Sequence, residues 1–175
     1  MTAIYFGSDW HINHDNICNF REQFKTVQEH NEFIFDNYCS VVRPKDQVYL
    51  TGDIGFNVEA LHLIKKLPGI KHLVMGNHDK EKKRNIRLQD LVDTFHDIHG
   101  FLRYKEFWLS HCPIHHDELR NRFNIHGHTH YHNINDPRYL NISMENIDFK
   151  PISLEEVRAI FESRSNEINR LREQQ

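Results

Sequence analysis

Five places in this chain put metal-competent side chains directly after a short apolar run. Asp9 and His11 follow Ala3-Ile4-Tyr5-Phe6, Asp53 follows Val48-Tyr49-Leu50, and Asn77, His78 and Asp79 follow Leu73-Val74-Met75. His111 follows Phe107-Trp108-Leu109, and His126, His128, Thr129 and His130 follow Phe123-Asn124-Ile125. An apolar, β-favouring run that stops at a small residue reads as a buried strand. In open α/β sheets ligands bind in the crevice outside the carboxyl ends of such strands. Each piece alone has an ordinary reading: Asp-x-His is common, Gly52-Asp53 is a turn, and Asn77 with Asp79 would cap a helix. Gly127-His128-Thr129-His130 is more pointed, because side chains two apart on extended backbone point the same way. Five such ends in one chain leave coincidence as the poorer explanation.

The donor set is carboxylate, imidazole and amide oxygen, without thiolate. It suits borderline divalent ions such as Mn, Fe or Zn better than a cysteine-rich structural zinc site. The donors are too many for one ion, whereas two ions sharing one carboxylate fit the count. Fifteen histidines in 175 residues, with no tag-like run, point the same way.

Stepping out from the site, 175 residues are enough for one domain over 1–175 with a real core. The charged fraction of 27% and net charge of −3 are those of a globular chain. They give no electrostatic case for a dedicated nucleic-acid or membrane binder, while leaving room for a local basic patch. Cys18, Cys39 and Cys112 form no C-x-x-C pair and are odd in number, against a disulfide framework. No apolar run approaches bilayer length and the N-terminus lacks a leader pattern, so a cytoplasmic protein is expected.

The elements that must carry the strand ends alternate. A helix is expected from Val27 to Val42, with Phe33, Ile34, Asn37, Tyr38 and Val41 as its apolar stripe and Pro44 as its stop. A second is expected from Asn57, available as N-cap, to Leu67, with Leu61, Ile64 and Leu67 on one face. Strand, helix and strand in this order argue an α/β fold. Lys80 to Asp93 turns amphipathic at Ile86, Leu88, Leu91 and Val92. Beyond it, Phe101–Tyr104 and Phe107–Leu109 around Lys105-Glu106 read as a hairpin, and with Phe123–Ile125 and Tyr139–Ile142 as a second sheet. Pro151, Ser153 and Glu156 announce a capping box and a C-terminal helix over 153–175. Its Leu154, Val157, Ile160 and Phe161 would pack on the body. Past Glu162 it reads as a polar, fraying end, with an oligomer contact through Ile168 and Leu171 as the alternative.

The ordered set Asp9-Trp10-His11, Gly52-Asp53, Gly76-Asn77-His78-Asp79, Ser110-His111 and Gly127-His128-Thr129-His130 resembles that of the calcineurin-like metallophosphoesterases, in their compact, uncapped form. The resemblance spans Asp9 to His130. It implies a four-layer α-β-β-α sandwich of two mixed sheets flanked by helices. It also implies one metal held by Asp9, His11 and His130, a second held by Asn77, His111 and His128, and Asp53 bridging the two. His78, not expected to be a ligand, resembles the proton donor or transition-state stabiliser, with Asp79 aiming it. Manganese is the first expectation for the pair of divalent ions, with Fe, Zn, Ni or Mg as alternatives.

The implied activity is hydrolysis of phosphodiester or phosphomonoester bonds in small molecules or nucleotides by a metal-activated hydroxide. A nuclease acting on DNA or RNA is the alternative within the class, and a protein-binding scaffold the alternative outside it. The occupied ligand positions argue against the scaffold, and the acidic balance argues against the nuclease. Two features depart from the pattern: Gly52-Asp53-Ile54-Gly55-Phe56 lacks the usual polar residue after the aspartate, and Ser110 stands where glycine is usual. Cys112 beside His111 reads as an apolar packing residue. His14, Asn16 and Arg21, and the later His115, His116, Arg120 and Arg122, could touch substrate; His14 and Arg122 are the two expected to do so. His126 reads as packed or as a support to the ligands.

Overall fold

The computed structural model describes residues 2–80 and 82–173, apart from the side chains of 82 and 167–173. The first apolar runs become strands β1 (Ile4–Gly7), β2 (Gln47–Leu50) and β3 (Ile70–Val74), joined by β4 (Asp97–His99) and β9 (Ile152–Ser153) in the order β4-β3-β2-β1-β9. The first four are parallel, with Tyr5 opposite Val48 and Leu50 opposite Leu73, while β9 is antiparallel to β1. Parallel neighbours need a crossover, usually helical. Three helices supply it: α1 (Val27–Val41), α2 (Val58–Lys66) and α3 (Leu88–Val92). The first three motif loops, after β1, β2 and β3, therefore leave the same end of this sheet.

The second sheet holds β5 (Leu102–Tyr104), β6 (Phe107–Leu109), β7 (Phe123–His126) and β8 (Tyr139–Asn141), in that order. β5 and β6 form the expected hairpin, whereas β6, β7 and β8 run parallel. Both sheets are mixed, and helices flank them. Apolar surface from the two meets in one core, where the Phe6 ring centre lies 6.4 Å from both Tyr104 and Phe107 and Tyr49 lies 4.4 Å from Tyr104. Phe161 on α4 (Leu154–Glu173) stacks 4.3 Å from Phe123 and 5.8 Å from Phe107. Among the described residues no helix is long and apolar enough to cross a membrane.

Local signals in the sequence account for most boundaries. The Asn57 side chain accepts from Ala60 N at 2.8 Å, and the Ser153–Glu156 capping box closes in both directions. Other expectations shift. The buried face of α1 runs through His30, Asn31, Ile34 and Tyr38, leaving Phe33 45% exposed, because polar partners near β1 claim His30 and Asn31. α3 is one short turn that buries only Leu91, while Leu88 and Val92 face solvent. β4 and β9 have no apolar signature, being too short and only half-buried. The side chains of Ile168 and Leu171 lie outside the described residues.

Phe107 is 1% exposed between the first sheet, the second sheet and α4. Phe107→Ala should lower unfolding free energy by about 3–5 kcal/mol in urea titration. Val92→Ala, at a site 53% exposed, should change it by less than about 0.5 kcal/mol.

Candidate metal centre

The five motif loops converge because their backbones bond to one another. Asp9 N donates to Gly52 O, and His11 N to Asp53 O, each at 3.0 Å, so the first two loops lie side by side. Gly127 N donates to His111 O at 2.9 Å, which joins the last two. Gly127 is required by close approach: a Cβ there would strike Ser8 Oγ and Asp9 Oδ2. A Cβ on Gly76 would likewise strike the Asp53 carboxylate. The packing puts Asp9, His11, Asp53, His128 and His130 in left-handed backbone, with φ between 48° and 69°. Such conformations cost energy in non-glycine residues and cluster at functional sites.

Asp9, 0% exposed, divides its oxygens between two tasks. Oδ2 accepts from His128 N and Ser143 Oγ, both at 2.9 Å. Oδ1 faces His11 Nε2 at 3.7 Å and His130 Nε2 at 3.9 Å, beyond hydrogen-bond reach. Asp9 Oδ1 and His11 Nε2 are both buried without a hydrogen-bond partner. Burial by itself would raise the Asp9 carboxyl, but His11 and His111 hold it well below the usual carboxylate range. Burial pushes the His11 imidazole down, keeping it neutral. His130 is oriented from behind: its Nδ1 meets Glu145 Oε1 at 3.2 Å, which raises its basicity.

A second group surrounds His111. Its Nδ1–H donates to Thr51 O at 2.7 Å, so Nε2 offers a lone pair whenever the ring is neutral. That lone pair lies 2.9 Å from Asn77 Oδ1, 3.2 Å from His128 Nδ1 and 3.3 Å from Asp53 Oδ2. Burial lowers the His111 imidazole, yet Asp53 outweighs it and pushes it up to about 9. In the absence of a metal, a proton on Nε2 takes the place that the lone pairs offer to a cation. Ligand atoms of Asp9, Asp53 and His111 also fall within 4.8 Å of one another, so the two groups adjoin. Convergent lone pairs and orphaned buried donors fit a pair of divalent ions.

His78 lies in the third loop, with its N–H on Asp53 Oδ1 at 2.8 Å and its ring centre 6.3 Å from that of His11. Asp79 has a different place from the expected one. Its carboxylate is buried and accepts from Gly76 N, Asp53 N and Ile54 N at 2.7–3.0 Å, because those orphan N–H groups of two loops need a shared acceptor. It ties the third loop to the second. Cys112 is exposed instead of packed, with Sγ within 4.8 Å of the His111 and His128 nitrogens. His126 is fully buried, its Nδ1 2.9 Å from Gly127 O.

Of the two expected substrate contacts, His14 lines the cleft over the centre, a space of about 660 Å³. Arg122 does not line it; its guanidinium donates to Lys105 O at 2.6 Å, back at the hairpin turn. Arg21 is also no free substrate group. It is 1% exposed and donates to Asp9 O, Trp10 O and Glu145 Oε1 at 2.6–3.0 Å. It donates to His30 Nε2 as well, at 2.7 Å, so His30 must be neutral with its proton on Nδ1 toward Asn31. Glu145 and Arg84 escape the sequence reading. Glu145 follows β8 without any motif, and Arg84 belongs to the stretch from Lys80 to Asp93, for which no site role is expected.

These features define an α/β protein of two facing sheets with candidate metal-ligand groups at its strand ends. No family model matches the sequence. The chain is 33% identical over 170 residues to the uncharacterized protein MJ1445 of Methanocaldococcus jannaschii, covering 89% of each, and it belongs to that protein's family. It is also similar to the solved structure of AQ665 from Aquifex aeolicus, a protein of unknown function, with TM-score 0.71 and 30% identity over 91% of this chain and 100% of that one. A weaker likeness, to a novel archaeal phosphodiesterase, has a TM-score of 0.43 at 20% identity over 81% of this chain and 82% of that one, too low to carry anything over.

Glu145→Gln should weaken divalent-metal binding about 10–100-fold while the fold persists, measured by equilibrium dialysis with circular dichroism as control. Burial, then Arg21, holds His30 down at about 4, below its unfolded value of about 6.5. The unfolded state therefore binds the extra proton, and stability is lost as pH falls from about 6.5 toward 4, on the order of 3 kcal/mol from this group. The His30→Gln variant should show a correspondingly flatter stability–pH curve in that window.

Proposed function

We propose that the protein is a dinuclear-metal-dependent phosphoesterase that hydrolyses phosphodiester or phosphomonoester bonds of small-molecule or nucleotide substrates. The observation that carries this reading is His111 Nε2 held at 2.9–3.3 Å among Asn77, His128 and Asp53, beside the orphaned Asp9 Oδ1 and His11 Nε2. Asp9, His11 and His130 would hold one ion, and Asn77, His111 and His128 the other, with Asp53 between them. When bound, two divalent ions facing two carboxylates supply net positive charge for a phosphate and lower the pKa of a water to about 7.

The chain's own residues do the rest. Asp79 and the Gly76 close approach fix the loop from which His78 reaches the cleft. From there His78 is placed to give a proton to the leaving oxygen, a role typically worth about 10²–10⁴-fold. Phe56, whose ring centre is 5.4 Å from that of His78 and 4.8 Å from that of His11, sets an apolar face beside both imidazoles. Manganese leads the expected ions, followed by Fe, Zn, Ni and Mg. A cytoplasmic setting and a small phosphate ester as partner complete the proposal.

Metal-stripped protein, reloaded with Mn, Ni, Zn or Mg, should hydrolyse at least one of a chromogenic phosphomonoester, a phosphodiester and a cyclic nucleotide. Asp53→Asn should lose both ions and nearly all turnover, whereas His78→Ala should keep its metal and lose about 10²-fold or more in kcat. Inactivity with every ion and ester would sink the hydrolase and leave a binding scaffold.

A further inference from the structure

Rings line the cleft outward from the candidate metal centre. The Phe56 ring centre lies 4.8 Å from that of His11 and 4.5 Å from that of His14, and His14 lies 6.0 Å from Phe20. Phe20, the outermost, is 67% exposed, and Tyr131, just past His130, lines the same cleft at 62% exposure. Large exposed aromatics gathered at one cleft mark a binding surface. Cations stand among them: the Arg84 guanidinium carbon is 3.4 Å from the Phe56 ring centre, and Lys83 lines the same space. His14 Nδ1 is shielded from water and has no hydrogen-bond partner.

We propose that this cleft binds a free nucleotide, with its phosphate toward the His11–His130 end, its base stacked on Phe20 or Tyr131, and Arg84 and Lys83 facing its charge. Placing the phosphate rests on the phosphoesterase reading; the base subsite rests on the rings alone. A purely aliphatic ester would leave both exposed rings uncovered and His14 Nδ1 unanswered. A heteroaromatic base covers a ring face and carries donors and acceptors on its edge. The cleft of about 660 Å³ has the size of a small-ligand pocket, and the net charge of −3 does not favour a polynucleotide.

The test is binding, measured by isothermal titration calorimetry on manganese-loaded full-length protein with AMP, glycerol 3-phosphate, inorganic phosphate and an unphosphorylated oligonucleotide. AMP should bind at least about tenfold tighter than either phosphate without a base, since stacking on one ring is worth roughly tenfold to a hundredfold. Phe20→Ala and Tyr131→Ala, both at exposed positions, should together remove that advantage and shift phosphate affinity by less than about twofold. Equal affinity for AMP and phosphate, an AMP preference that survives both substitutions, or tighter binding of the oligonucleotide would each overturn the proposal. Ring-dependent AMP binding without hydrolysis of any ester would uphold the subsite and refute the phosphoesterase. Hydrolysis without any preference for AMP would do the reverse.

Discussion

Lone pairs repel one another, and the interior of this protein gathers them. Asp9 Oδ1 lies 3.7 Å from His11 Nε2 and 3.9 Å from His130 Nε2, and His111 Nε2 faces Asn77, His128 and Asp53 at 2.9–3.3 Å. A fold tolerates such an arrangement only when it is held from outside and answered by a cation. Much of the surrounding structure does the holding. Thr51 O fixes the His111 tautomer, Glu145 backs His130, and Ser143 with the His128 N–H occupies the other oxygen of Asp9.

The same constraint explains the backbone. Left-handed φ at Asp9, His11, Asp53, His128 and His130 turns each side chain inward immediately after its strand. Gly76 and Gly127 let the loops close to distances that no Cβ permits. The buried Arg21 then ties the first loop to Glu145 and His30, so that α1 supports the site as well as the sheet. α1 accordingly carries polar residues on its inner face at the expense of Phe33.

The strand ends are legible in the sequence because a buried strand and a reactive loop differ sharply in residue type. The helices Val27–Val41 and Val58–Lys66 are legible from periodicity and caps, and the two-sheet division from the switch to short β-like runs. β4 and β9 are not, since three-residue and two-residue strands at half-buried edges have no period to show. Glu145 and the buried bridging role of Arg21 are silent for a different reason: they depend on partners 124 positions apart, which no local pattern encodes. Arg122 and Asp79 show the limit of reading a side chain by its neighbours in sequence. Each is claimed by backbone groups that only the fold brings near, Lys105 O for one and the N–H groups of Gly76, Asp53 and Ile54 for the other.

The central claim is that two adjoining donor groups hold two ions at once. Electron paramagnetic resonance of protein titrated with Mn(II) tests it most directly, because two manganese ions in adjoining sites, roughly 3.5–4 Å apart, couple their spins. Saturation at two ions per chain with an exchange-coupled spectrum is the expected result. Saturation at one ion with the six-line signal of isolated Mn(II), or no binding at all, would contradict it.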